Sequence, residues 1–182
     1  MDIVLFWCLV ETTKSASDNA GDKQAELLVK ELVSRPVEEV LEFERIFSGL
    51  VARADLDHLS DIADFIYGGL GDSGWWDFRA WLVGQGRDIY EQVLANPETL
   101  ADIVPLNARR DIVAEPLIFV GQNAYREKTG TDLMPSLPAY PFEPLSRGES
   151  LWKIASSTED YDRRFRDKYP RIWAKFREEN TE

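Results

Sequence analysis

Residues 61–94 read DIADFIYGGLGDSGWWDFRAWLVGQGRDIYEQVL. Between Gly68 and Leu82 this stretch holds four glycines, three tryptophans, two aspartates and an arginine. Glycines let backbone approach closely and take positive φ, whereas tryptophans demand burial. The pairing predicts a rigid loop that feeds a central helix, from about Gly74 to Gln85. On that helix Trp75, Trp76, Phe78, Trp81, Leu82 and Val83 cover nearly the whole wheel, so it is expected to be buried on most sides. The loop GGLGDSG matches neither G-x-G-x-x-G nor the P-loop pattern, no strand pattern precedes it and no Lys follows. A helix N-terminus attracts anions, and Asp72 or Ser73 could fill that role internally as a cap.

Outward from this centre the signals remain helical. Residues 2–14 read as a first helix and 18–34 as a second, with Asp18 or Asn19 as cap. Pro36 suits the first position of a third, PVEEVLEFERIFSGLVARA, and Asp55 is placed to cap a fourth that runs through Tyr67. Gly86 allows a break before RDIYEQVLAN, Pro97 opens a short helix, and another runs from Pro116 to Lys128 with Gly130 as its stop. Residues 131–148 are Pro-rich and irregular. A last helical region covers 149–179, interrupted at Pro170. No alternating strand pattern and no repeat is visible. The expectation is a single all-α domain, residues 1–182, of about seven to nine helices, with a Pro-rich strap and a C-terminal helix packed on the body.

Composition excludes several functions. Of 182 residues, 44% are hydrophobic and 12% aromatic, which excludes a disordered chain. The net charge is −12, so nucleic acid and anionic membranes are disfavoured as partners. Cys8 is alone, which removes disulfide frameworks and Cys-rich zinc sites. His58 is the only histidine, which removes two-His metal motifs within one chain. No cofactor and no metal is expected. The apolar run Ile3–Val10 has Asp2 before it and Glu11 behind, and is too short to span a bilayer. A cytoplasmic location follows as the expectation. His58 reads as a boundary residue with a local carboxylate partner. Asp57, Asp61 and Asp64 line one side of the fourth helix; they could hold Mg²⁺ or Ca²⁺ given further ligands, but read better as a solvated stripe.

Two groups of residues carry what functional signal there is. A guanidinium on a helix as apolar as that of Arg79 must be paired, and Asp72 and Glu115 are the candidate partners. Glu115, Gln122 and Arg126 recur as a polar seam on the otherwise apolar helix around Pro116. With Trp75 and Trp81 these residues form either an internal salt-bridge network or a cleft for a small polar ligand. The second group is surface-directed. Pro135, Pro138, Pro141 and Pro144 recur every third residue, as in a polyproline II helix, with Tyr140 and Phe142 between them. These two aromatics could dock a partner, although a strap lying on the protein's own helices fits better. Near the end, Tyr161, Phe165, Tyr169, Trp173 and Phe176 form an aromatic stripe. Residues 163–177 carry seven basic side chains and one acidic, a local +6. Arg163, Arg164 and Arg166 are therefore candidates for partner contact, and this segment is the only candidate for nucleic acid. The acidic remainder of the same chain is its nearest partner, so a clamp onto the body is favoured.

The order of these motifs resembles a known family. GG-x-x-D-x-G (Gly68, Gly69, Asp72, Gly74), F-R-x-W-L (Phe78, Arg79, Trp81, Leu82), Q-G-R-x-x-Y-E (Gln85, Gly86, Arg87, Tyr90, Glu91) and P-E-x-L-A (Pro97, Glu98, Leu100, Ala101) are similar to the bacterial family known as domain of unknown function 4240, DUF4240. Phe6-Trp7, Glu115, AYREKTG (124–130) and YPRIWAKF (169–176) extend the resemblance along essentially the whole chain. Members often carry paired aspartates in the loop; Ser73 follows Asp72 here, which weakens a two-carboxylate site. The resemblance implies no activity. The leading expectation is a bacterial, cytoplasmic, non-enzymatic protein-interaction or accessory domain with an unidentified protein partner. The alternative is a polar-ligand-binding protein or metal-independent enzyme that uses the Asp72/Arg79/Glu115 region.

Overall fold

Asp2 starts the first helix, its carboxylate accepting the Leu5 N–H at 2.8 Å. In the computed structural model, which describes residues 1–18, 20–106, 115–132, 134–143 and 145–177 (Glu115 by its backbone alone), twelve α-helices follow. They are α1 (Ile3–Ala16), α2 (Gly21–Val33), α3 (Val37–Arg53), α4 (Asp57–Tyr67), α5 (Asp72–Gly84) and α6 (Arg87–Ala95). After a 3₁₀ turn at Pro97–Thr99 come α7 (Leu100–Ile103), α8 (Glu115–Ile118), α9 (Val120–Thr129), α10 (Leu151–Ile154), α11 (Thr158–Lys168) and α12 (Pro170–Phe176). No strand occurs among the described residues, so the all-α expectation holds. The count exceeds seven to nine because Phe119 breaks the helix expected from Pro116 to Lys128, and residues 155–157 add a second break to the C-terminal region.

Capping departs from the sequence reading at three places. Asp18 takes φ 54° and Ala20 precedes α2 without a side-chain cap bond, while Asn19 lies outside the described residues. Leu56, not Asp55, stands at the N-cap of α4. Gly71 precedes α5, so Asp72 falls inside its first turn and neither it nor Ser73 caps it. Gly68 closes α4 in the left-handed region at φ 73°, as a C-terminal glycine does.

Burial organises the helices into two layers. In the first, α9 lies across α2 and α3, and α5 touches α3, α4, α6 and α8. Phe6, Phe43, Leu50 and Phe78 are sealed between these helices. Gly121 is the close point between α9 and α3: a Cβ there would sit 2.9 Å from Glu44 Cβ. In the second layer α10 and α12 pack on α4, and α12 also on α7. Phe165 stacks on Phe65 at 4.2 Å between centroids, and Tyr161, Tyr169, Ile172 and Phe176 are buried with it. Phe165, Ile172 and Phe176 each contribute roughly 1.5–3 kcal/mol of burial free energy. Arg171 pairs with Asp102, and Lys175 Nζ donates to the carbonyls of Ala101 and Val104, both at 2.6 Å. The C-terminal helices are thus held on the body, as expected. Buried residues from Phe6 to Phe176 form one continuous cluster.

The Pro-rich segment is the strap that its spacing implied. Arg45 Nε donates to the Pro138 carbonyl at 3.0 Å, and the same guanidinium lies 5.1 Å from the Tyr140 ring centre. Tyr140 and Phe142 rest against Gly49 of α3, where a Cβ would meet them at 2.9 and 3.0 Å. Pro144 lies outside the described residues. Among the described residues no helix is long and apolar enough to cross a membrane.

Candidate functional site

Arg79 projects from α5 toward the end of α3 and is 5% exposed. Its partner is Asp55, at 3.4 Å, and not Asp72, which is exposed on the first turn of α5. The Glu115 side chain, the other candidate, lies outside what is described. Asp55 was expected to cap α4; it instead accepts Trp75 Nε1–H at 2.9 Å and pairs with Arg147 at 3.2 Å. Arg79 also donates to the Val51 carbonyl at 3.3 Å. That carbonyl lies in the last turn of α3, where helix geometry leaves acceptors orphaned and favours a cation. The indoles of Trp75 and Trp76 flank the guanidinium at 5.0 and 4.8 Å. Burial lowers the Arg79 pKa and Asp55 opposes the shift. Trp81 is half-buried against Phe78, at 5.6 Å. Arg79 is therefore a closed junction between α3, α5 and the strap.

The three aspartates of α4 each tie down another segment, which corrects the solvated-stripe reading. Asp57 pairs with Lys153 at 2.8 Å and with Arg147 at 3.5 Å, and the Lys153 bond is the main reason its pKa is lowered. Asp61 is only 1% exposed; it accepts Ser150 Oγ–H and the Leu151 N–H, each at 2.7 Å. Burial raises its pKa, against the pull of those two bonds. Asp64 accepts the Leu70 N–H at 2.9 Å and so fixes the glycine loop. His58 is half-buried beside Gly148, and burial lowers its pKa against the opposing pull of the Arg147 backbone and of the Asp61 and Asp57 carboxylates.

Where the glycine loop meets the C-terminal helices there is an open cleft of about 590 Å³. One wall is Asp64, Phe65 and the Gly68–Leu70 backbone; the other is Trp152, Tyr161, Asp162, Trp173 and Arg177. Gly68 and Gly69 take φ of 73° and 101°, which excludes most side chains and leaves that wall low. Trp152 is 52% exposed and lies flat on Tyr161, centroids 3.9 Å apart and planes 15° apart. Trp173 stacks on Phe65 at 5.4 Å, and Arg177 lies 4.9 Å from the Trp173 ring centre. An exposed tryptophan backed by a second aromatic is costly in water and useful in contact. Sequence reasoning singled out the glycine loop and the aromatic stripe but missed their junction, and Trp152 with it.

The remaining candidates are dispersed. Gln122 and Arg126 are on the exposed side of α9, where Arg126 bonds to Asn123 at 2.9 Å and faces Asp132 at 3.6 Å. They form no site with Arg79. Tyr140 and Phe142 are half-buried on α3. Arg163 and Arg164 both pair with Asp160 on their own helix, the latter at 2.9 Å, and Arg166 faces Asp167 at 3.5 Å. No group of three or more potential metal-ligating side chains occurs among the described residues.

The chain belongs to the family described as protein of unknown function (DUF4240), whose model matches residues 1–127. The matched span takes in the glycine loop and stops short of YPRIWAKF, so it is narrower than the whole-chain resemblance. One wall of the cleft thus comes from the matched region and the other from beyond it. No curated protein and no solved structure matches the chain.

Proposed function

We propose that the chain is a non-enzymatic, cytoplasmic protein-interaction domain that docks a segment of its partner in the cleft between the glycine loop and the C-terminal helices. The observation that carries this reading is Trp152, 52% exposed in a 590 Å³ cleft with aromatic side chains on both walls. Contact hot spots are enriched in tryptophan and arginine set in pockets, and Arg177 shares this one. The described lining holds no Ser, Cys or His, and its ionisable groups are Asp64, Asp162, Tyr161 and Arg177, charges and hydroxyl that suit polar contacts with a docked segment. The polar-ligand alternative needed Arg79 to face solvent with Asp72 and Glu115. Arg79 is instead buried and committed to Asp55 and to carbonyl oxygens.

Site-specific photocrosslinking in the native cell tests the proposal. A photoreactive residue at position 152 should join a discrete polypeptide. The same residue at position 4, where Val4 is 67% exposed on α1, should not. Equal adducts from both positions, or none from position 152, would refute it.

A further inference from the structure

The chemistry of the cleft also constrains what enters it. Asp162 lines it, is exposed, and pairs with no described residue, whereas nearby Asp160 is held by two arginines. Asp64 commits Oδ1 to the Leu70 N–H, leaving Oδ2 as the oxygen nearest to free use. Two carboxylates thus face one cation, Arg177, among the described lining residues. The aromatic faces add to the same preference, because a cation over an indole is drawn by the ring's negative face. Arg177 already lies in that manner on Trp173, at 4.9 Å, so the cleft has a place where a guanidinium fits. The molecule as a whole carries −12, but the 163–177 segment that supplies Trp173 and Arg177 carries a local +6, so the preference rests on the lining residues themselves and not on the net charge.

We infer that the partner segment enters this cleft with a lysine or arginine, whose cationic group sits over the Trp152 and Trp173 faces and is neutralised by Asp162 and Asp64. The inference rests on the docking role proposed above. Arg177 then acts as an internal stand-in that the incoming cation displaces from Trp173. An anionic segment would meet the reverse situation, with Arg177 as its anchor and both aspartates against it, so substitutions at positions 162 and 177 have opposite effects for the two charge types.

The test uses the full ¹⁵N-labelled chain and follows its tryptophan indole N–H signals by NMR during titration with acetyl-tetraarginine amide, acetyl-tetralysine amide and acetyl-tetraglutamate amide. The cationic peptides should shift the Trp152 and Trp173 signals and spare Trp76, which is 47% exposed but outside the cleft. Asp162→Asn should weaken binding about 2–5-fold, the scale of an exposed charge pair. Arg177→Ala should tighten it. Shifts of the cleft indoles by tetraglutamate, or weakening by Arg177→Ala, would overturn the cationic occupant while leaving the cleft a docking site. A Trp76 shift as large as that of Trp152 would overturn it as diffuse attraction to an acidic surface. No shift with any peptide would also overturn it, and the crosslink from position 152 then decides separately whether the docking role survives.

Discussion

Replacing Arg79 by Ala removes several interactions at once. The ion pair to Asp55 goes, and so do two flanking indole contacts. The Val51 carbonyl loses its donor, because the Asp55 N–H that would continue the helix goes to Ala52 instead. A side chain only 5% exposed is also replaced by a void. Asp55 is not stranded, since Trp75 Nε1 and Arg147 still hold it, so the ion pair is the smaller part. An unsatisfied buried carbonyl costs about 1–3 kcal/mol, and the indole contacts are worth roughly 0.5–2 kcal/mol. The total expected is about 3–4 kcal/mol, within the usual cost of breaking a buried pair from one side. Urea denaturation at neutral pH should show a midpoint lowered by more than about 1 M with an unchanged slope. Arg79→Lys should recover only part, because an ammonium cannot bond Val51 and Asp55 while lying flat between two indoles. If Arg79→Ala unfolds within about 0.5 kcal/mol of the wild type, the junction does not hold these elements together.

Three further outcomes follow from buried or clamped groups. Asp61→Ala should cost about 1–3 kcal/mol by stranding the Leu151 N–H. Asp61→Asn, which can still accept from Leu151 and donate to Ser150, should cost less than half as much; equal losses by chemical denaturation would contradict the bonding described. Burial raises the Glu44 pKa, and its Oε2 is buried without a hydrogen-bond partner. A carboxyl with a raised folded pKa favours the fold at acid pH, and that contribution fades as pH rises through the raised value. Glu44→Gln should therefore melt higher than the wild type at pH 8 and converge with it at acid pH; a gain that grows on acidification would reverse the sign. Truncation after Glu159 should lower the melting temperature and promote association by exposing the surface that Phe165, Ile172 and Phe176 cover, whereas moderate salt alone should change little. An unchanged melt would refute the clamp.

What was legible in the sequence follows the range over which each signal acts. Helix periodicity is local, so α3 and α5 were placed within a residue or two, and the apolar wheel around Arg79 announced its burial. Its partner was not legible, because Asp55 reads locally as a cap and only the fold turns it toward Trp75 and Arg79. Asp61 failed for the same reason: on its own helix it is one of three stacked carboxylates, and the group that buries it arrives from residues 150 and 151. The strap was legible because proline spacing fixes backbone shape without help from tertiary contacts. The cleft was the hardest feature. Its walls are separated by about a hundred residues, and Trp152 sits in the four-residue helix α10, too short to show a face.

The docking role of the cleft is tested most directly by binding of the polypeptide that crosslinks at position 152, measured by calorimetry for the wild type and for Trp152→Ala. Trp152 is half exposed, so losing its stack on Tyr161 should cost only about 1 kcal/mol of stability and spare the fold. As a contact hot spot it should carry about 2 kcal/mol or more of binding, a loss of at least about thirtyfold. A large loss of affinity with a nearly unchanged melting temperature is the predicted result; wild-type affinity in the Trp152→Ala chain would contradict it.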